Sequence, residues 1–250
     1  MTQLNRAGIS GRLVCDLEEP SADPQQPLIG IVVPVFKEVV ALKRTLERLR
    51  RVAGHCPVVV VDGGSTDGSV SIARRLFHIE VCGEANRGAQ LNLGARHLDT
   101  DVLLFLHVDP QLPFGFQFYI RQALHNPRVA GGCFRLTFDD SHPMLCFYAW
   151  FTQFPGRFLH FGDQGFFVRR EIIHQVKGYR CLPFMEDVDF LRRLRCQGRI
   201  VVLSAPVATS ARRFLRCGVV RQQLLNIFLV TLFELGISAK QLSRLYPHIR

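Results

Sequence analysis

No C-x-x-C pair and no tight cluster occurs among the eight cysteines, which stand singly at positions 15, 56, 82, 133, 146, 181, 196 and 217. That scatter argues against a zinc site or a disulfide frame and suits reduced cytosolic thiols, several of them filling a core. No apolar run reaches the ~20 residues that a bilayer-spanning helix needs; Met144–Phe154 and Ile227–Leu235 come nearest. Met1–Pro27 carries Glu18, Glu19 and Asp23 and lacks an apolar centre. It is therefore not a secretory signal and reads as a loose leader or a misassigned start. Repeats, low-complexity tracts and flexible linkers are missing too, so 250 residues are expected to form one large α/β domain.

Acidic residues are scarce, 21 against 31 Lys and Arg, which leaves a net charge of +10. Such a balance admits nucleic acid, anionic lipid or a phosphorylated substrate as partner. The excess is spread over Arg44–Arg51, Arg192–Arg199 and Arg212–Arg221. No aromatic-interleaved basic motif accompanies it, so nucleic acid is set aside. A solvated basic surface, an anionic membrane surface and an anionic substrate remain.

What is present is an alternation of strands and helices. Leu28–Val33, closed by Pro34, reads as a first strand, and Val39, Leu42, Leu46 and Leu49 follow at helical spacing. Pro57–Val61 is the second strand, followed by a helix over Val70–Leu76, a weaker strand at Phe77–Val81, a helix over Arg87–Leu98 and a strand at Val102–Leu106. The repeated βαβ unit predicts a parallel sheet with right-handed crossovers. The second half is mixed: a helix over Phe114–Leu124, then Val129–Phe138, whose alternation suggests an antiparallel strand. Strands at Gln164–Val168 and Ile200–Leu203 are expected, with helices over Glu171–Val176, Asp187–Gln197 and Val219–Leu235.

Polar residues gather where the apolar strands stop. Val102–Leu106 runs into His107, Val108 and Asp109, and a carboxylate cannot stay in an apolar layer unpaired, so Asp109 belongs at the carboxyl edge of the sheet, where ligands of open α/β folds bind. The loop Asp62-Gly63-Gly64-Ser65-Thr66-Asp67-Gly68 lacks the G-x-G-x-x-G spacing of a dinucleotide site, and Ser69 stands where a phosphate loop needs Lys. Asp62 is left as an acceptor for a base or ribose, while Asp67 caps the next helix. Arg87 and Gln90 open a helix, a natural anion site suited to a diphosphate. His107 shares a strand face with Asp109 and could be a metal ligand, a hydrogen-bonding neighbour or a packed core histidine. Glu186 and Asp187 begin a helix whose dipole favours ionised carboxylates. Asp163 and Gln164 line a sugar or acceptor side or form a simple turn; Arg212 and Arg213 lie in a late basic loop that closes over a diphosphate or docks on lipid.

The ordered set V-P-V-F-K-E, V-D-G-G-S-T-D-G, N-R-G-A-Q-L-N-L-G-A, L-H-V-D-P and M-E-D-V-D-F resembles family 2 glycosyltransferases of the GT-A fold over about Leu28–Phe214. F-G-D-Q-G-F-F-V-R-R, P-F-M-E-D-V-D-F and T-S-A-R-R-F resemble a bacterial branch named radical-SAM/selenodomain-associated glycosyltransferases. The resemblance implies a Rossmann-like, mostly parallel sheet with helices on both faces. It divides the chain into a nucleotide-binding half (28–112), an acceptor half (113–218) and a carboxyl-terminal apolar helix and tail (219–250). Pro34, Phe36 and Glu38 would line the nucleoside pocket, Asp62 would contact the base, and Arg87 and Gln90 would lie beside the nucleotide. Asp109 would bind Mg²⁺ or Mn²⁺ on the diphosphate of a UDP- or GDP-sugar, and Asp187 would be the general base of an inverting transfer to an acceptor hydroxyl. His107 departs from the family pattern by replacing the first Asp of D-x-D. A nucleotidyltransferase and a non-catalytic nucleotide-sugar-binding protein are the alternatives, the first lacking its early G-x-G-x-R-like loop with its lysine. A cytoplasmic protein is expected, free or peripheral on the inner face of the membrane, with the apolar helices serving that contact, a homodimer or the core.

Overall fold

The structure is a computed structural model that describes residues 26–82, 84–154, 156 and 160–246. The expected leader, apart from Gln26 and Pro27, lies outside the described residues, as does Cys15. The first half is β1 (Ile29–Val35), α1 (Val39–Val52), β2 (Val58–Asp62), α2 (Ser69–Arg74), β3 (His78–Val81), α3 (Arg87–His97) and β4 (Val102–Phe105). The second half is α4 (Phe116–Leu124), β5 (Val129–Phe138), α5 (Pro143–Phe151), a 3-10 turn at Gly162–Gln164, β6 (Phe166–Arg169), α6 (Arg170–Gln175), α7 (Glu186–Leu194), β7 (Arg199–Thr209), α8 (Arg212–Cys217), α9 (Val219–Glu234) and α10 (Ala239–Leu245).

All seven strands join one sheet in the order β3-β2-β1-β4-β6-β5-β7. Strand residues of alternating parity feed its two faces. Ile31, Val33, Val60 and Leu104 pack with Leu42, Leu46 and Leu49 of α1 and with Phe116 and Ile120 of α4. Val32, Val59, Val61 and Leu103 pack on the other side with Leu91 of α3, Ile172 of α6 and Phe190 and Leu194 of α7. Each of the three α1 leucines is nearly or fully buried and contributes about 2 kcal/mol. On the opposite face α3 comes close because Gly94 has no side chain; a Cβ there would overlap Val32.

Three expectations need correction. The reversed strand is β6, not β5. β6 pairs antiparallel with both β4 and β5, so β5 runs in the same direction as β4, and β7 pairs parallel with β5. β5 meets β6 only over Gly131–Cys133, and its outer residues are half-covered, so the alternation there reports one-sided packing, not direction. The basic stretch read as a loop coils into α8, and of the cysteines among the described residues only Cys133 is buried, where desolvation pushes its thiol up to about 12. Smaller differences lie at strand ends. β1 runs through Pro34, opposite Val61, and the edge strand β7 extends to Thr209 through Pro206, which an edge tolerates.

Candidate active site

Because β1, β2, β4, β5 and β7 share one direction, the residues that follow them emerge at one edge of the sheet. Glu38 follows β1, Asp62 ends β2, His107 and Asp109 follow β4, Asp139 follows β5 and Arg212 follows β7. α1 fixes the β4 loop from behind. The buried Thr45 hydroxyl donates to the Val108 carbonyl, and Arg48 Nε donates to Leu112 O at 3.1 Å. Asp109 is thereby held half-exposed, with Arg212 Nη2 4.0 Å from its Oδ2. Burial, together with the like charges of Asp163 and Asp139, raises its carboxyl above the usual range against the pull of Arg212 and His107.

β2 delivers Asp62 to the same edge, 0 % exposed. Its Oδ2 accepts from the backbone N–H groups of Gly64 (2.8 Å) and Ser65 (2.7 Å), while its Oδ1 is buried without a hydrogen-bond partner among the described residues. A buried acceptor oxygen left unpaired is costly, so this one suits a donor from outside the described residues. Asp67 has the capping role expected of it and extends that role to two helices. Oδ1 accepts from Ser69 N–H at the start of α2, and Oδ2 accepts from Val39 N–H at the start of α1. Lys37 and Met185, two of the non-glycine residues with positive φ, at 54° and 61°, directly precede Glu38 and Glu186. Strained backbone thus sits next to two of the clustered carboxylates.

The second half completes the cleft. His107 Nδ1 hydrogen bonds Asp163 Oδ1 at 3.1 Å, and its ring lies flat enough on Gly162 that any Cβ there would overlap it. Gly162 N–H in turn donates to Asp187 Oδ2 at 2.7 Å, and Val188 N–H donates to Asp187 Oδ1 at 2.8 Å. His107, Asp163 and Asp187 are therefore joined through two consecutive residues. Asp163 is 58 % exposed by its side chain yet walled by protein. Burial alone would raise its carboxyl, but the bond and charge of His107, helped by Arg87 and Arg213, bring it below the usual value. Asp187 goes the other way. Burial and the charge of Glu186 raise it, outweighing Gly162, His107 and Arg87. Two carboxylates with opposed shifts in one cleft are the arrangement that separates a base from an electrostatic anchor.

Arg87, first residue of α3, reaches across the cleft and donates from Nη1 to the buried Glu186 at 2.9 Å. Asn86 caps α3 by accepting from Ala89 N–H. Glu38 opens to solvent at the mouth, its carboxyl raised by the surrounding protein and by Asp109. Phe36 is half-buried beside it under Lys37. Pro34 and Gln90 stand deeper. Pro34 is buried within β1, and Gln90, 3 % exposed, donates its amide to Val35 O and Val61 O, tying the tips of β1 and β2 together. Gln164 is a brace as well, donating to Phe134 O and accepting from Phe161 N–H.

Two features of the cleft escaped the sequence reading. Tyr246, just past α10, lies under the Arg213 guanidinium with 4.0 Å from its carbon to the ring centroid, and is 4.7 Å from the Phe184 ring. α9 and α10 cover Met185 and Val188 with Leu229, Val230 and Leu242, so the tail walls the base of α7. The second is Asp139, which accepts from Ala211 N–H at 2.7 Å and pins the entry to α8. Asp189, by contrast, is a fold residue. It is 1 % exposed and paired with Arg180, Arg192 and Arg193 at 3.2, 3.2 and 2.8 Å. Asp189→Ala should cost about 1–3 kcal/mol in urea unfolding, because the part-buried Arg193 loses its partner while Arg180 and Arg192 stay solvated. A loss no larger than that of a surface substitution would show that the cluster does not hold α7 in place.

The family model for glycosyl transferase family 2 matches residues 30–175, more than half of the chain. The chain belongs to glycosyltransferase family 2. No curated relative matches it. Among solved structures, the family 2 chain is similar to the mannosyltransferase PcManGT of Pyrobaculum calidifontis, solved with GDP-Man and Mn²⁺, at a TM-score of 0.61 and 17 % identity, covering 86 % of this chain and 66 % of that one. It is also similar to residues 1–349 of S. aureus TarS at a TM-score of 0.59 and 13 % identity, covering 86 % and 68 %. Against a longer TarS structure it covers 41 % of that chain. At these identities the likeness concerns the fold, which is GT-A. This family 2 chain spans about two thirds of the first two structures.

Proposed function

We propose that the protein transfers a sugar from a nucleotide-diphosphate sugar to an acceptor hydroxyl with inversion, with Asp187 as general base. One observation carries the reading: Asp109, Asp163, Asp187 and Arg87 lie within electrostatic reach of one another at the carboxyl edge, the edge where β2 ends in Asp62 with a buried oxygen to which no described residue donates. Asp62 would accept an N–H of the base, Phe36 and Glu38 would flank the nucleoside, and Arg87, Arg212 and Arg213 would offset the charge of the departing diphosphate. Asp187, ionised and fixed by two backbone N–H groups, would take the acceptor's proton as the new bond forms. With a single base placed opposite the leaving group, the anomeric centre inverts.

Among the described residues no three His, Cys, Asp or Glu side chains come together to hold a metal ion. The donor set nevertheless fits a hard divalent cation bound through one or two carboxylates with its shell completed by phosphate oxygens. Asp109 would hold it, with Asp163 beside it where His107 takes the place of an acidic residue. The cation's chemistry would be charge neutralisation on the diphosphate. The consequence is testable by thermal shift. Mn²⁺ alone should leave the midpoint unchanged, a nucleoside diphosphate alone should raise it slightly, and the two together should raise it by several degrees. A screen of UDP- and GDP-sugars for nucleotide release tests the activity itself. Turnover with one of them is expected; pyrophosphate release from a nucleoside triphosphate would assign a nucleotidyltransferase, and tight binding without turnover across acceptor classes would assign a binding protein.

A further inference from the structure

α5, α8 and α9 meet around Leu145, Ala211 and Val219, and on their outer sides they leave apolar residues in solvent. Phe147, Trp150, Phe151 and Phe154 of α5 and its exit are exposed and in mutual contact, with Trp150 53 % exposed and 4.8 Å from the Phe154 ring. On α9, Val220, Leu224, Ile227 and Phe228 form one stripe at spacings of four, three and one, Leu224 being 61 % exposed. An exposed aromatic and aliphatic face of this kind marks an interaction surface.

Its charge says what covers it. α5 has no charged residue; of the arginines of α8 and α9, Arg212 and Arg213 turn to Asp109 and Tyr246 at the cleft, while Arg216 and Arg221 are exposed, and the single acid of these helices, Glu234, stands at the far end of α9. An isologous contact between two copies would bring those arginines toward each other with no carboxylate from these helices to answer them. An anionic lipid surface answers the exposed Arg216 and Arg221, and its interface is where an amphipathic aromatic such as Trp settles. No described helix is long and apolar enough to cross a membrane, which leaves lying in the interface as the mode of contact.

We propose that the outer face of α5 and α9, with Arg216 of α8 and Arg221 at the start of α9, docks the protein on an anionic phospholipid bilayer. α8 begins at Arg212, beside Asp109, and its six residues span only ~9 Å. The mouth of the cleft therefore lies close to the docked face. If the sugar-transfer reading above is right, the acceptor is one carried in the membrane; the docking itself does not depend on that reading.

The test uses the full chain and vesicles without any donor. Trp150 is the chain's only tryptophan, so its emission reports from the docking face itself. Phosphatidylcholine vesicles containing phosphatidylglycerol should sediment the protein and shift Trp150 emission to the blue, and added salt should weaken both effects. Phosphatidylcholine alone should do so far less. Ile227→Ser with Phe228→Ser should lower the partition coefficient about tenfold or more, and Phe147→Ser on the other helix should lower it independently. Circular dichroism and the melting midpoint serve as the check that each variant is folded. Absence of sedimentation with anionic vesicles would overturn the proposal, as would folded variants that bind like the parent. A dimer in sedimentation velocity that these substitutions disperse, without vesicle binding, would assign the face to a second copy instead.

Discussion

Asp187→Asn is expected to lower kcat by about 10²–10⁴-fold while leaving donor affinity nearly unchanged, the signature of a group used in the transition state and not in binding. Asn keeps the size of the side chain and an oxygen to accept from Gly162 or Val188, so the loop at 161–164 should hold its place. The pH profile offers a second reading. A base works ionised, and Asp187 is raised above the ordinary carboxylate value by burial and by Glu186. Activity should therefore fall as pH drops through that raised value, at a higher pH than an unperturbed aspartate would give. Glu186→Gln removes the like charge and should move the acid limb to lower pH. Arg87→Ala removes an opposing cation and should move it up. A limb that ignores both variants, or an Asp187→Asn enzyme with ordinary kcat, would assign the base elsewhere.

Asp62→Ala is expected to weaken nucleoside diphosphate binding roughly 10- to 150-fold, the worth of a hydrogen bond to a buried charged group. Alanine also frees the Gly64 and Ser65 N–H groups, so Asp62→Asn separates the two contributions. Asn can turn its oxygen to those N–H groups and present an NH₂ in place of the buried Oδ1, for which no described residue supplies a donor. If Oδ1 is the base acceptor, a donor then faces a donor and the loss should match that of alanine. Near-normal binding by the Asn variant would make Asp62 a loop brace only. Titration calorimetry with UDP and GDP distinguishes these outcomes.

The strand-and-helix alternation of the first half was legible because parallel strands buried on both faces read as unbroken apolar runs, and the run of four valines before Asp62 leaves little choice of frame. The second half was harder for a physical reason. β6 is four residues long and fully covered over Phe166–Val168, so it carries no period that could reveal its direction. With the reversal assigned to β5, the end of that strand falls at the wrong edge, and with it Asp139, whose charge in fact acts on Asp109. Polarity at strand ends placed Asp62 and Asp109 at the carboxyl edge, where the structure has them. It could not tell Gln90 and Gln164, which spend their amides on backbone carbonyls, from residues open to a ligand. Tyr246 was invisible because nothing in the sequence says that the tail returns to the cleft.

The most direct test is calorimetric titration of a nucleoside diphosphate, with and without Mn²⁺, into the parent chain and the variants at positions 62, 109 and 187. The expected pattern is threefold: Asp62→Ala binds weakly with or without Mn²⁺, Asp109→Ala loses only the enhancement by Mn²⁺, and Asp187→Asn binds like the parent. Binding that none of the three substitutions alters would contradict a shared donor site at this edge of the sheet, as would the absence of any nucleotide binding by the parent.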